Sequence, residues 1–235
     1  MTVAAMEIDG LTAGYGEAMV LRDLSLHVGT GEVLAVLGKN GMGKSTLLRT
    51  VMGLLPTRRG CIRLLGEDVT GRPPYVHAAR AVSYSPQERA IFQDLTVEEN
   101  LRLGIARGER FLPAFERVGV LFPFLGMRRR QRAGTLSGGE QKMLIMARAL
   151  MARPQLMLID EITEGLQPSV VLRLAEILRA QNRREGSAIL LIEQNVRFAL
   201  SLANRYAVLT RGEIAAAGDA SAPNVEAKIA SMMTV

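Results

Sequence analysis

The chain has 235 residues, of which 48% are hydrophobic but only 4% aromatic, and its single cysteine, Cys61, excludes an internal disulfide. Its longest apolar runs, such as 33–37 and 188–192, fall far short of the roughly 18 residues a membrane-spanning helix needs, and Glu7 and Asp9 near the start argue against a secretory leader, so cytoplasmic residence is expected. A net charge of +6 fits nucleic acid, an anionic membrane face or a phosphate-rich ligand without choosing among them.

In chain order, Tyr15 in Gly14-Tyr15-Gly16 is by itself a turn aromatic. Leu24, Leu26 and Val28 alternate with Ser25, His27 and Gly29, which predicts a half-exposed strand, and the run 32–37 predicts a buried one. Gly38-Lys39-Asn40-Gly41-Met42-Gly43-Lys44-Ser45 then joins that strand to a predicted helix over 44–52, which Gly53 and Pro56 terminate. Glycines at this spacing let consecutive amides face phosphate oxygens, and the helix start adds its positive end. Lys44 is placed to reach the β- and γ-phosphates, Ser45 to hold Mg²⁺ and Thr46 to support the cradle, so ATP and Mg²⁺ are expected ligands. An ordinary glycine-rich turn would not need a strand before it and a helix after it.

Further strands are predicted at 61–65, 81–85, 156–159, 188–192 and 206–209, several separated by helical stretches, which favours an α/β fold with a largely parallel sheet. Cys61 reads as a buried, inert thiol. Strand signals vanish between 88 and 135, where Thr96-Val97-Glu98-Glu99 is a capping box opening a helix through Leu103. The expected organisation is one domain over 1–235: a core of about 1–87 and 136–219, a helical subdomain of about 88–135, and a tail, 220–235, forming a short surface helix or loop. The cluster Arg128, Arg129, Arg130 and Arg132 lacks interleaved aromatics and reads as a solvated or docking surface, so no nucleic acid is expected.

Leu136-Ser137-Gly138-Gly139-Glu140 is a second capping box ahead of a strongly helical stretch, 142–151. A cap alone does not require two glycines, which weaken a first helical turn, so close approach to a phosphate explains Ser137, Gly138 and Gly139 better. The strand 156–159 delivers Asp160 and Glu161 at its C-terminal end, where α/β sheets place ligands. Asp160 suits Mg²⁺ held through water, and Glu161 suits polarising an attacking water.

Taken together, these motifs, in this order and over about residues 6–218, make the chain resemble an ABC-type ATPase subunit. The resemblance implies a P-loop nucleotide-triphosphatase fold with a mostly parallel core sheet, an N-terminal antiparallel β subdomain and an inserted α-helical subdomain. It implies that Tyr15 stacks on adenine, that Gln87 in Ser85-Pro86-Gln87-Glu88 touches Mg²⁺ and links it to the helical subdomain, and that Ser137, Gly138 and Gly139 read the γ-phosphate held by another chain. A monomer would then bind nucleotide yet hydrolyse it poorly. The segments 38–43, 95–101, Glu164-Gly165-Leu166 and Glu193-Gln194-Asn195-Val196 are similar to the branch serving uptake of branched-chain amino acids, amides and urea.

Three residues depart from the general family pattern. Gln194 stands where most relatives have a histidine touching the γ-phosphate, and an amide cannot gain a proton at neutral pH. Ile162 replaces the usual proline after Asp-Glu, and Gln167 an interface-loop aspartate. The implied partners are a second ABC ATPase subunit, identical or related, membrane permease subunits and, indirectly, a periplasmic substrate-binding protein. The implied place is peripheral, on the inner face of the membrane. A non-transport ABC ATPase acting on nucleic acid or an assembly partner, and a binding-only nucleotide switch, are the alternatives.

Overall fold

The structure is a computed structural model that describes residues 4–78, 81–87, 90–106 and 108–234; Glu88 lies outside the described residues. Strands β1 (Met6–Tyr15) and β2 (Ala18–Val28) form an antiparallel hairpin, followed by β3 (Val33–Leu37), helix α1 (Lys44–Val51), β4 (Thr57–Leu64), β5 (Glu67–Asp68), α2 (Pro74–Ala78) and β6 (Val82–Ser85). The helices α3 (Val97–Arg102), α4 (Phe111–Gly119) and α5 (Pro123–Met127) come next, then a 3₁₀ turn (Ala133–Thr135) and α6 (Gly138–Met151). The rest of the chain supplies β7 (Leu156–Asp160), α7 (Pro168–Glu185), β8 (Ala188–Glu193), α8 (Val196–Leu202), β9 (Arg205–Thr210), β10 (Glu213–Asp219) and α9 (Val225–Thr234).

These strands build two sheets, one antiparallel in the order β2-β1-β4-β5 and one in the order β10-β9-β3-β8-β7-β6. The second is parallel except for β10, which runs antiparallel to β9. Strands β3, β7 and β8 are buried along their whole length, as continuous apolar runs require when both sheet faces are covered. Alternation along β3 divides the core. Val33, Ala35 and Leu37 pack with the helices from α3 to α9, whereas Leu34 and Val36 pack with α1 and the antiparallel sheet.

Register decides where the loops emerge. Leu37 pairs with Glu193 of β8, and Asp160 of β7 with Ile192, so adjacent parallel strands end level with one another. The segment after β3 is the glycine-rich loop, the one after β7 begins with Glu161, the one after β8 with Gln194, and Gln87 lies two residues beyond β6. Parallel neighbours thus put four sequence-distant segments at one end of the sheet.

Both capping boxes form: Thr96 and Glu99 exchange side-chain and backbone hydrogen bonds, as do Ser137 and Glu140. Three expectations need correction. Cys61 is only half-buried. The arginine cluster is partly structural: Arg129 donates to Glu98 from Nε at 3.0 Å and from Nη2 at 2.6 Å, and its guanidinium lies 5.2 Å from the Phe111 ring centroid and 5.3 Å from that of Phe115. Arg128 pairs with Glu140 at 2.7 Å, while Arg130 stays exposed. The partners lie on helices far away in sequence, so the run of charge hides them. The tail is also more than surface, because Ile229 of α9 is fully buried and Arg197 of α8 pairs with Glu226 at 2.7 Å. Among the described residues no helix is long and apolar enough to cross a membrane.

Arg129→Ala removes a two-pronged charged contact and its aromatic seat, and is expected to cost about 1–3 kcal/mol in urea unfolding. Arg130→Ala is expected to change stability by less than about 0.5 kcal/mol.

Candidate nucleotide site

The loop from Gly38 to Gly43 depends on glycine at three positions, and Gly41 is one of them, with φ +79°. A Cβ on Gly38 would lie 2.5 Å from the Leu209 carbonyl oxygen. Gly43 has φ +104°, a conformation L-residues avoid, and its Cβ would lie 3.0 Å from Leu21 Cδ2. Met42 fixes the loop to the β9–β10 turn: its carbonyl accepts from the Gly212 N–H at 3.1 Å and its sulfur from the Arg211 N–H at 3.3 Å. The backbone then enters α1, whose first residues, Lys44, Ser45 and Thr46, line a cavity of about 260 Å³ together with Asn40, Gln87 and Glu161.

Lys44 is buried. Its ammonium donates to the Gly38 and Lys39 carbonyls, each at 2.8 Å, and pairs with Glu161 Oε1 at 2.9 Å. The other oxygen of Glu161 accepts from Gln87 Nε2 at 2.9 Å and Gln194 Nε2 at 3.0 Å, and Gln194 Nε2 also donates to Asn40 Oδ1 at 2.6 Å. Glu161 itself has φ +44°, strained for a residue with a side chain, and its N–H is held by the Ile192 carbonyl at 2.9 Å. Ile162, in place of the proline expected after it, is a buried core residue.

Asp160 Oδ1 is buried with no hydrogen-bond partner among the described residues. Burial pushes the Asp160 carboxyl up to about 6, opposed by a hydrogen bond from Ser45 and reinforced by the nearby Glu161 charge. A buried acceptor with an open lone pair beside a serine hydroxyl and a phosphate cradle is a donor set that suits a hard divalent cation. No group of three or more His, Cys, Asp or Glu among the described residues could hold a metal alone, so such an ion would draw its remaining ligands from phosphate and water.

Sequence reasoning overlooked three side chains here. Glu164 Oε2 accepts from Gln87 Nε2 at 2.7 Å, and Lys142 of α6 donates to the Gln87 carbonyl at 3.1 Å. Glu193 is buried; its carboxylate takes the Thr163 N–H at 3.1 Å and hydroxyl at 2.9 Å, and burial raises its pKa. Glu193 ends an apolar strand just as Asp160 does, so the same pattern could have found it. Nothing in sequence spacing points to the other two.

Tyr15 stands apart from the cavity with its ring half exposed, and its hydroxyl accepts from Arg49 at 3.2 Å. Ser137, Gly138 and Gly139 do not line the cavity. A Cβ on Gly138 would meet nothing within 4 Å, and its φ is not among the positive ones. The chain's own packing therefore does not demand glycine there.

Gly43→Ala is expected to lower the thermal midpoint by several degrees and to reduce binding of a fluorescent ATP analogue at least tenfold, because strain and contact with Leu21 act together. Unchanged affinity would show that the loop tolerates a side chain.

A family model described as ABC transporter matches residues 21–164. The chain is 42% identical to the "High-affinity branched-chain amino acid transport ATP-binding protein BraG" of Pseudomonas aeruginosa, over 89% of this chain and 90% of that protein. It is 36% identical to the "Probable branched-chain amino acid transport ATP-binding protein LivF" of Archaeoglobus fulgidus, over 90% of each. At 33% identity, over 91% of this chain and 89% of the relative, it also matches the "Lipopolysaccharide export system ATP-binding protein LptB" of Acidithiobacillus ferridurans, so kinship reaches beyond one cargo. Among solved structures, an ATP-binding subunit of an ABC transporter superposes with a TM-score of 0.84 at 28% identity, covering 96% of this chain and 94% of that one. With its fold and motifs matched across nearly its whole length, the chain belongs to the ABC transporter family of ATPases, as an ATP-binding subunit.

Proposed function

We propose that this subunit pairs with a second, identical or related ATPase chain around two Mg-ATP and powers uptake of branched-chain amino acids, amides or urea through separate membrane permease subunits. It would sit peripherally on the inner face of the membrane and meet a periplasmic substrate-binding protein only through the permease. The observation that carries the ATPase mechanism is the buried Lys44–Glu161 pair at the cavity wall, reached from four strand ends. The first two relatives' names support branched-chain amino acids as the cargo; amides and urea rest on the resemblance of the segments 38–43, 95–101, 164–166 and 193–196.

In this reading the 38–43 amides and Lys39 cradle the phosphates while Thr46 supports the turn. Lys44 leaves Glu161 for the more strongly charged phosphate oxygens. Mg²⁺, when bound, would spread the negative charge of the β- and γ-phosphates, with Ser45, Asp160 and Gln87 as the residues that hold it. Glu161, relieved of the ammonium, accepts hydrogen bonds from a water in line with the γ-phosphate and takes its proton. Gln194 donates from its amide and handles no proton. Tyr15 offers its ring to the adenine. Ser137, Gly138 and Gly139 offer their helix start to the nucleotide of the opposite chain, which supplies the reason for glycine that this chain's packing lacks.

Glu161→Gln is expected to leave ATP binding within about twofold and to cut turnover by roughly 10²–10⁴-fold, with a closed ATP-bound dimer accumulating in size-exclusion chromatography. Wild-type turnover would remove Glu161 from the role of base. Gly138→Val tests the opposite-chain element: its thermal midpoint and ATP affinity should match the parent, and its turnover should fall at least about tenfold, equivalent to about 1.4 kcal/mol of barrier. Normal turnover in that folded variant would contradict the role.

A further inference from the structure

We propose that Glu164, a carboxylate outside the cavity, is a positioning residue that fixes the orientation of the Gln87 amide so that its oxygen is presented to the cation. The inference rests on the reading of Gln87 as a metal-holding residue given above. Gln87 Nε2 carries two hydrogens, and the structure assigns each a carboxylate: Glu161 Oε2 at 2.9 Å and Glu164 Oε2 at 2.7 Å. Turning the amide over would set its oxygen against two carboxylate oxygens, acceptor against acceptor. The orientation is therefore decided by charge, and Oε1 is left without a protein donor among the described residues.

Glu161 alone cannot maintain this arrangement. Its Oε2 already serves Gln194 at 3.0 Å, its Oε1 serves Lys44 at 2.9 Å, and the same carboxylate must turn to water during hydrolysis. Glu164 has no such second duty. It is exposed, its only hydrogen bond among the described residues is the one to Gln87, and its loop is anchored one residue earlier, where Thr163 donates twice to the buried Glu193. Lys142 holds the Gln87 backbone from the other side at 3.1 Å. When Glu161 lets go, Glu164 still keeps the amide nitrogen facing away from the cation.

A double-mutant cycle on Glu164 and Gln87 tests this, with Mn²⁺ binding to the full chain measured by electron paramagnetic resonance in the presence of a non-hydrolysable ATP analogue. Glu164→Ala should weaken Mn²⁺ binding by roughly 5–10-fold, the net scale of one hydrogen bond, while analogue affinity in EDTA and the thermal midpoint stay put. Glu164→Gln, which keeps an acceptor oxygen, should recover part of the loss. Gln87→Ala should weaken Mn²⁺ at least as much, and adding Glu164→Ala to it should change nothing further. If Gln87→Ala weakens Mn²⁺ and Glu164→Ala does not, or if the two losses add, Glu164 does not act through Gln87 and the proposal is overturned. If Gln87→Ala itself has no effect, the reading of Gln87 falls first.

Discussion

A buried ammonium and a buried carboxylate, Lys44 and Glu161, depend on each other, and the site is built around that dependence. Each would be costly to bury alone, and an ion pair does not by itself repay the loss of water. Here two loop carbonyls complete the three donors of Lys44, and two glutamine amides donate to the second oxygen of Glu161. A carboxylate engaged by three donors has less capacity left for a water. Phosphate is the ligand class that could take the ammonium away, because it offers more negative charge at the same point.

The sheet makes such a cluster possible at little cost in sequence. Four parallel strands ending in register place Gly38, Gln87, Glu161 and Gln194 together although they span more than 150 positions. Positive φ at Gly43 and at Glu161 aims the loop and the carboxylate, and the strain at Glu161 is borne by the Ile192 hydrogen bond and the buried Ile162 beside it. Helix α6 is attached to the same centre through Lys142, which follows its Ser137–Glu140 cap and reaches the Gln87 backbone. Movement of α6 against the sheet would accordingly be felt at Gln87.

The parts legible in sequence were those with a local cause. Buried strands read as apolar runs, helix starts as capping boxes, and the phosphate loop as glycine spacing. Strand β1 was missed because its alternation breaks: at the register shift between Ile8 and Leu11, successive buried apolar residues stand three positions apart and leave period two. Strand β10 was missed because its residues alternate only between exposed and half-buried, with a further shift between Ile214 and Ala216. Glu164 and Arg129 were missed for another reason: their partners, Gln87 and Glu98, lie 77 and 31 positions away, and no spacing rule connects them. Resemblance supplied Tyr15, Gln87 and Gln194, and of these the geometry brings Gln87 and Gln194 onto Glu161 and leaves Tyr15 at the periphery.

Gly138, at the start of α6, is a glycine that this chain's own packing does not demand. The central claim is that a phosphate on Lys44 becomes hydrolysable only when a second chain presents that helix start. ATP turnover per chain, followed with light-scattering mass on the same sample through serial dilution, tests it most directly. The account predicts turnover per chain falling in step with the dimer fraction while nucleotide binding persists. A strictly monomeric sample hydrolysing ATP at the undiluted rate per chain would contradict it.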